Sequence, residues 1–164
     1  MVVPMERDLS RTLHTLTVRL DRAADRMLRA EAGLSYSRFL TLYLVGRWGA
    51  GTQRSLAELL GVTEPSVSRM IPVLERSGLL EAGADPGGGN RRRLRLTEAG
   101  EQHVQRWGAL LEERFAALVE ASGVPYATYT EYTKRLLATL DARAPAGSHS
   151  AALGASSAQR GPRR

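Results

Sequence analysis

The sequence predicts a mainly α-helical protein with one small β-hairpin. Apolar residues recur at the three- and four-residue spacing of helices along most of the chain. The stretch DPGGGNRRRLRLT, residues 85–97, differs because it joins three glycines to a segment in which apolar and charged residues alternate, as in a strand. A hairpin tip favours glycine, which adopts positive φ angles without steric cost. We therefore expect helices on both sides of a single hairpin.

Composition and charge limit the class of protein. A chain of 164 residues with 43% hydrophobic residues is long enough for one domain with a buried core. No apolar run approaches the roughly 18 residues that span a bilayer, and the N-terminal MVVPMERDLSR is charged where a signal peptide is apolar. This predicts a cytoplasmic protein with no membrane partner. The absence of cysteine excludes disulfides and thiol chemistry. The net charge of +6 hints at a polyanionic partner, although three of these charges belong to Arg160, Arg163 and Arg164.

The first predicted helix begins at Leu9 and ends at Gly33. Its apolar residues keep to one face, and charged residues fill the others. At about six turns the helix is longer than a small core needs. This favours packing against a second chain, with a long helix inside one chain as the alternative. The residues assigned to this dimerisation seam are Leu9, Leu13, Leu16 and Leu20.

The next two predicted helices differ in burial. Residues Ser37–Trp48 are apolar almost all round, so this helix is expected at the centre of the core. After a loop at Gly49–Arg54, a short helix is predicted at Ser55–Leu60. Ser55 is its expected N-cap, with Glu58 in the capping-box position and Gly61 as the stop.

A further helix follows after a three-residue turn, with Thr63 as its expected cap and Gly78 as its end. Its predicted inner stripe consists of Val67, Ile71 and Leu74. Two helices joined by so tight a turn form a helix-turn-helix, although helix pairs of this kind also serve as plain scaffolding. Polar residues lie off the apolar stripe of the second helix, as in a helix that enters a DNA groove: Ser66, Ser68, Arg69 and Arg76. Pro72 lies inside this helix and removes the hydrogen bond to the carbonyl of Ser68, so we expect a kink near Ser68 or an early stop.

The hairpin follows directly. Its strands are predicted at Leu79–Ala82 and Arg93–Leu96, with Leu94 and Leu96 on one face and arginines on the other. An arginine-rich hairpin next to a helix-turn-helix is expected to lie along a phosphate backbone or in a minor groove. We call this hairpin the wing. A solvated surface hairpin is the alternative.

Two helices are predicted after the wing. Thr97 is expected to cap a long helix that carries Val104, Trp107, Leu111, Phe115 and Leu118 on one side. A break at Ser122–Pro125 precedes a last helix that ends near Arg143. Candidate apolar contacts of this helix are Tyr129, Tyr132, Leu136, Leu137 and Leu140, of which the three leucines are assigned to dimerisation. From Ala144 the chain is rich in alanine, glycine and serine, which predicts a disordered basic tail.

Motifs between Leu34 and Gly100 follow one another in a specific order: LSYSRFLTLYLVGRWG, SLAELLGVTEPSVSRMIPVLERSGLL, ADP and RLRLTEAG. In order and spacing they resemble the multiple antibiotic resistance regulator (MarR) family of winged helix-turn-helix transcription factors. The resemblance implies a homodimer in which the first helix and the last two helices of both chains interlock. It also implies recognition helices in successive major grooves and wings that reach minor grooves.

The resemblance further implies a division of the chain and a mode of regulation. Residues 1–33 would be an N-terminal dimerisation helix, residues 34–100 the DNA-binding lobe, residues 101–143 the C-terminal dimerisation helices and residues 144–164 the tail. The implied function is a repressor that binds a short inverted-repeat operator and responds to a small aromatic or anionic effector.

Matching positions assign residues to these roles. The DNA contacts, including the arginines inferred from the pattern above, are Gln53, Arg54, Ser55, Thr63, Glu64, Ser66, Val67, Ser68, Arg69, Arg76, Asn90, Arg91, Arg92 and Arg93. The effector contacts are His14, Tyr36, Phe39, Trp107 and Leu111. One departure concerns the wing, where the family has an aspartate and two arginines after its DP and this chain has Gly88, Gly89 and Asn90. The minor-groove contact is therefore expected from Arg91 or Arg92; the alternative is a wing that bends more freely and contributes mostly phosphate attraction.

An enzyme is not expected. The three histidines lie on separate segments without metal-ligand spacing, and GAGTQRS lacks the lysine and spacing of a phosphate-binding loop. We predict no cofactor and no metal. The remaining alternative is a winged helix that binds an acidic protein through its arginines, and salt-dependent binding to duplex DNA separates the two.

Overall fold

The computed structural model describes residues 8–84 and 92–143, which form six helices and a two-stranded antiparallel sheet. The predicted fold class is confirmed. The helices and strands are α1 (Leu9–Ala32), α2 (Tyr36–Trp48), α3 (Gln53–Leu60), α4 (Glu64–Arg76), β1 (Leu80–Ala84), β2 (Arg92–Leu96), α5 (Glu98–Ala121) and α6 (Tyr126–Arg143). The glycine-rich tip of the wing and the predicted tail lie outside the described residues. Within the described ranges, no helix combines the length and apolarity needed to cross a membrane.

The chain divides into two compact units within α5. The first unit ends at Leu111 and holds α1 to α4, the sheet and the beginning of α5. The second begins at Glu112 and holds the rest of α5 and α6. At the start of α6, the Tyr126 hydroxyl donates a hydrogen bond to the Glu112 carboxylate.

The core of the first unit is built around α2, as its all-round apolar pattern predicts. This helix contributes five buried residues: Phe39, Thr41, Leu42, Leu44 and Val45. The buried hydroxyl of Thr41 lies 2.8 Å from the carbonyl oxygen of Ser37 and 3.0 Å from the sulfur of Met70 in α4. A buried polar group costs little when it is hydrogen-bonded. Thr41 therefore joins α2 to α4 inside an otherwise apolar core.

Asp25 in α1 fixes the start of α2. Its Oδ1 accepts a hydrogen bond from the Tyr36 amide at 2.8 Å, and its Oδ2 accepts one from Arg29 Nε at 2.6 Å. Both bonds lower the pKa of the Asp25 carboxyl, and the bond from Arg29 has the larger effect. A carboxylate at a helix N-terminus also interacts favourably with the helix dipole. Asp25 thus sets how the long first helix meets the core helix.

The start of α3 differs from the prediction. The helix begins at Gln53 because Thr52, not Ser55, is the N-cap. The Thr52 hydroxyl accepts from the Ser55 amide at 3.1 Å, and the Ser55 hydroxyl accepts from the Thr52 amide at 3.2 Å. Glu58 takes no part in this capping box and instead accepts a hydrogen bond from Arg54 at 3.2 Å. The predicted stop at Gly61 is confirmed by its φ of 65°.

The wing is anchored at its base. Leu80 pairs with Leu96 and Ala82 with Leu94, which confirms the predicted inward face. The Leu94 amide donates to the carbonyl of Gly51 at 2.8 Å, tying β2 to the loop before α3. The Thr97 hydroxyl donates to the carbonyl of Gly78 at 2.6 Å and accepts from the Gly100 amide at 3.0 Å, which confirms Thr97 as the cap of α5.

Candidate DNA interface

The helix α4 presents one buried face and one exposed face. Val67 and Leu74 have no exposed surface, and Ile71 is 1% exposed. The opposite face is exposed and carries residues four, three and four positions apart: Pro65, Arg69, Pro72 and Arg76. The assignment of Val67 to DNA is therefore wrong for its side chain, which packs in the core. The sequence pattern had placed Val67 on the inner stripe, and the structure supports that pattern.

Of the two outcomes expected at Pro72, a kink near Ser68 or an early stop of the helix, the early stop is wrong. The helix α4 continues through Pro72 to Arg76, although proline cannot donate the usual bond to the carbonyl four residues earlier. Val67, Ile71 and Leu74 are buried on the inner face, while Pro72 is exposed. Burial of the apolar face outweighs the loss of one backbone bond. The exposed face of α4 thus extends over about three turns.

The first turn of α4 carries two adjacent hydroxyl groups. Thr63 occupies the N-cap position as predicted, but its hydroxyl makes no capping bond to the backbone. It lies 3.0 Å from the hydroxyl of Ser66 instead. Glu64 is exposed beside them. Hydroxyl groups at a helix start are suited to contact phosphates and base edges, whereas a carboxylate can accept a hydrogen bond only from a base amino group such as that of cytosine.

Arg69 is oriented by the backbone of its own helix. Its Nε donates a hydrogen bond to the carbonyl oxygen of Pro65 at 3.3 Å, one turn nearer the helix start. The two terminal amino groups of the guanidinium remain at the exposed end of the side chain. A pair of parallel N–H donors matches the O6 and N7 acceptors of guanine. The bond to Pro65 therefore restricts the conformations open to the Arg69 side chain.

The start of α3 contributes fewer free groups than the sequence suggested. Arg54 is exposed and forms an ion pair with Glu58 at 3.2 Å. Exposed pairs of this kind are weak and exchange readily for a phosphate. The Ser55 hydroxyl is engaged with Thr52, and Gln53 is half-buried. Arg54 is the residue of this group best placed for a phosphate contact.

The wing places arginine beside the start of α3. Arg93 and Arg95 are exposed on β2 while Leu94 between them is buried. A Cβ atom built on Gly51 would lie 3.6 Å from Arg93 Nε, so this side chain passes over the loop that leads into α3. Arg92 belongs to β2. Asn90 and Arg91, also assigned to DNA, lie outside the described residues.

Four of the five residues assigned to an effector belong to one large hydrophobic cluster, the core of the first unit. Phe39 and Trp107 are buried core residues, and Tyr36 and Leu111 pack against that core. The phenyl ring of Phe39 lies 3.8 Å from the position of a Cβ on Gly108, where α5 crosses α2. His14 is exposed on α1 and lies outside this cluster. A long amphipathic helix gives the face of a residue but not its distant neighbours, so the assignment of His14 to an effector stays a prediction.

His103 is a feature that sequence reasoning missed. Its Nε2 is buried and has no hydrogen-bond partner within residues 8–84 and 92–143. Its ring centroid lies 6.1 Å from that of Trp107, and the Arg106 guanidinium carbon lies 4.9 Å from the centroid of the Trp107 ring. Burial, followed by the Arg106 charge, lowers the pKa of His103. The spacing of four residues between His103 and Trp107 was the available signal, because it places both on one helix face.

Acidification from pH 7 to 5 is expected to destabilise the fold through His103. Because its pKa is lower in the folded chain, the unfolded chain binds the proton more tightly, and stability falls as the pH drops below about 6.5. His103→Gln should reduce this pH dependence. Thermal unfolding at each pH, followed by Trp107 fluorescence in a Trp48→Phe background, measures it. If the unfolding temperature of the His103→Gln variant changes with pH as steeply as that of the protein with His103, the role of His103 in acid destabilisation is contradicted.

The residues assigned to dimerisation carry much exposed apolar surface. On α1, Leu9 and Leu13 are exposed. Leu16 and Leu20 are half-buried. The helix α6 has no buried residue in the single chain. Leu136 is 60% exposed and Leu140 67%. Exposed leucines in such number on one helix are typical of an interface that a partner covers.

Comparisons with known proteins agree with this geometry. The MarR family model matches residues 34–92. No curated protein is significantly similar in sequence. Among solved structures, the chain resembles a DNA complex of MepR from Staphylococcus aureus, with 24% identity over 81% of this chain and 96% of that chain and a TM-score of 0.64.

Two further structures have similar folds. A MarR-family transcriptional regulator from Rhodococcus sp. RHA1 is 20% identical over 82% of this chain and 95% of its own, with a TM-score of 0.71. CouR from Rhodococcus jostii RHA1, bound to p-coumaroyl-CoA, is 20% identical over 82% of this chain and 93% of its own, with a TM-score of 0.70. Residues 34–92 therefore match the MarR family model, and the chain has the same winged-helix fold as these solved structures.

Proposed function

We propose that this protein is a cytoplasmic, homodimeric transcriptional regulator that binds a specific duplex DNA site. One observation carries the proposal: the exposed face of α4, with Arg69 and Arg76, is backed by a fully buried inner face. A helix held in this way can enter a major groove as a rigid element. The structural neighbour MepR is seen in a complex with DNA. In this proposal residues 34–100 bind DNA, and the helices in residues 1–33 and 101–143 hold the dimer together.

The contacts fall into two groups with different effects on sequence preference. Arg69, Ser68 and Glu64 on α4 are the candidates for base contacts, since base edges are exposed in the major groove. Arg54 and the exposed wing arginines Arg93 and Arg95 are the candidates for phosphate contacts. Phosphate contacts contribute affinity for any sequence and weaken with salt.

Arg69→Ala is expected to lower affinity for the specific site by about 1–3 kcal/mol and to relax the preference at one base pair of each half-site. Arg93→Ala should instead weaken binding to all duplexes alike and reduce the slope of log K against log salt by about 1 per contact. Fluorescence anisotropy with the specific duplex and a scrambled duplex over a salt series measures both. If Arg69→Ala lowers affinity equally for both duplexes, its base contact is refuted.

The same titration tests the proposed function. Binding to duplex DNA at low ionic strength, with a steep loss of affinity as salt is added, supports it. A wild-type protein that ignores duplex DNA at low salt would contradict it and favour an acidic protein as the partner of the arginine surface.

Regulation by a small effector is part of the proposal. CouR, with a similar fold, is bound to p-coumaroyl-CoA, which has an aromatic and an anionic part. The cluster of Tyr36, Phe39, Trp107 and Leu111 is the candidate contact region for an aromatic or anionic effector in this chain. We further propose that the protein is a repressor which such an effector releases from an inverted-repeat operator. Release of a bound duplex by a candidate effector, with quenching of Trp107 fluorescence in a Trp48→Phe background, tests the effector contact and its effect on DNA binding.

A further inference from the structure

Pro72 changes the hydrogen bonding of α4 in the middle of its exposed face. Proline has no amide hydrogen, so the carbonyl oxygen of Ser68 receives no bond from the residue four positions later. The helix nevertheless continues to Arg76. Ser68 and Pro72 are both exposed. An acceptor that lacks its usual helical donor therefore lies on the face of α4 that the proposed function directs toward DNA.

The side chains around this carbonyl are short. Ser68 ends in a hydroxymethyl group, and Pro65 and Pro72 end in compact rings on the same exposed face. Arg69 is drawn back toward the helix start by its bond to the carbonyl of Pro65. A backbone atom lies nearer the helix axis than side-chain ends, so it reaches a partner only where its neighbours are small. Around Ser68 the exposed side chains of Pro65, Ser68 and Pro72 are all short, and the compact Pro72 ring is the group that lies against this carbonyl.

DNA offers few donors for an acceptor at this position. Phosphate oxygens only accept hydrogen bonds. In the major groove the base-edge donors are the N6 amino group of adenine and the N4 amino group of cytosine, whereas guanine and thymine present acceptors. A carbonyl oxygen close to the groove therefore favours an amino-bearing base and disfavours guanine or thymine at the same place.

We propose that the main-chain carbonyl of Ser68, left without its helical donor by Pro72, accepts a hydrogen bond from the amino group of an adenine or a cytosine in each half-site. This inference rests on the proposed function. It makes Pro72 a specificity-determining residue that acts through the backbone of Ser68. Substituting the side chain of Ser68 would leave this contact in place.

The first experiment selects bound duplexes from a random pool with the wild-type protein, Pro72→Ala and Pro65→Ala. Alanine at position 72 restores the amide and closes the bond to the Ser68 carbonyl, so we expect one amino-bearing position per half-site to lose its preference. Pro65 is the matched control, because it lies in the first turn, where an amide has no helical acceptor. Pro65→Ala should keep that preference. The inference would be overturned if Pro72→Ala selects the same DNA sequence as the wild-type protein, or if its base preferences change over the whole half-site.

The second experiment removes the amino group from the DNA. The preferred adenine is replaced by purine, or the preferred cytosine by pyrimidin-2-one, in one half-site. The wild-type protein is expected to lose affinity by about 5-fold, as for one net hydrogen bond, and Pro72→Ala by less than about 2-fold. If removing the amino group lowers the affinity of the wild-type protein at none of the preferred adenines or cytosines, the proposal is contradicted, and no protein variant is needed to show it. If the wild-type protein selects no sequence at all, the proposed function fails; if it selects a site that Pro72→Ala shares, only this inference fails.

Discussion

Gly100→Ala is expected to lower the free energy of unfolding by about 3 kcal/mol. A Cβ atom at this position would lie 2.0 Å from the carbonyl oxygen of Leu79 and 3.0 Å from its carbonyl carbon. Both are backbone atoms, and the neighbouring Thr97 hydroxyl bonds the carbonyl of Gly78, so this turn has little freedom to move. Alanine gains about 1 kcal/mol in helix propensity, which is smaller than the cost of the clash.

Gly108→Ala is the matched control for this change. It lies on the same helix, but the nearest neighbour of its Cβ would be the ring of Phe39 at 3.8 Å, an ordinary van der Waals distance. We expect Gly108→Ala to be neutral or to stabilise by up to about 1 kcal/mol. Urea unfolding followed by circular dichroism measures both variants. Equal stability of Gly100→Ala and the wild-type protein would contradict the close approach of α5 to the turn before β1.

The double variant Leu136→Glu, Leu140→Glu is expected to convert the proposed dimer into monomers. These leucines are 60% and 67% exposed in the single chain, and a dimer would bury four of them. Burying one fully exposed leucine contributes about 1.5–3 kcal/mol, and these are about two-thirds exposed, so the loss is about 4–8 kcal/mol even before the glutamates repel one another. Binding of the specific duplex should fall at least about 100-fold, because a monomer contacts only one half-site.

Sedimentation at micromolar concentration measures the oligomeric state of this variant. Ala138→Glu is the control, because Ala138 is exposed on α6 and lies about 160–200° around the helix from Leu136 and Leu140. It should remain a dimer. A double variant that stays dimeric, or a wild-type protein that is monomeric, would remove α6 from the proposed interface.

The arrangement of helices and the hairpin was predictable from the sequence because each has a local cause. The stop of α1 at Gly33 requires a positive φ, observed at 64°. Alternation of leucine and arginine around Leu94 fixed which face of β2 is buried. The inner stripe of α4 followed from the spacing of Val67, Ile71 and Leu74. Spacing within one helix or strand is enough to decide such features.

The errors arose where two local solutions compete or where a distant neighbour decides. Thr52 and Ser55 are both good capping residues. The sequence did not show which of the two is the N-cap and which lies inside the first turn of α3. The sequence showed that Pro72 removes one backbone hydrogen bond from α4. It did not show that burial of Val67, Ile71 and Leu74 offsets this loss, because that burial depends on the packing of other helices. The buried Nε2 of His103 likewise depends on tertiary packing.

Selection of duplexes from a random pool by the purified wild-type protein is the most direct test of DNA binding by a dimer. The expected product is an inverted repeat whose half-site centres lie about one helical turn, roughly 10 base pairs, apart. Enrichment of no sequence, or of a single half-site without its inverted partner, would contradict a dimer that places two α4 helices in successive major grooves.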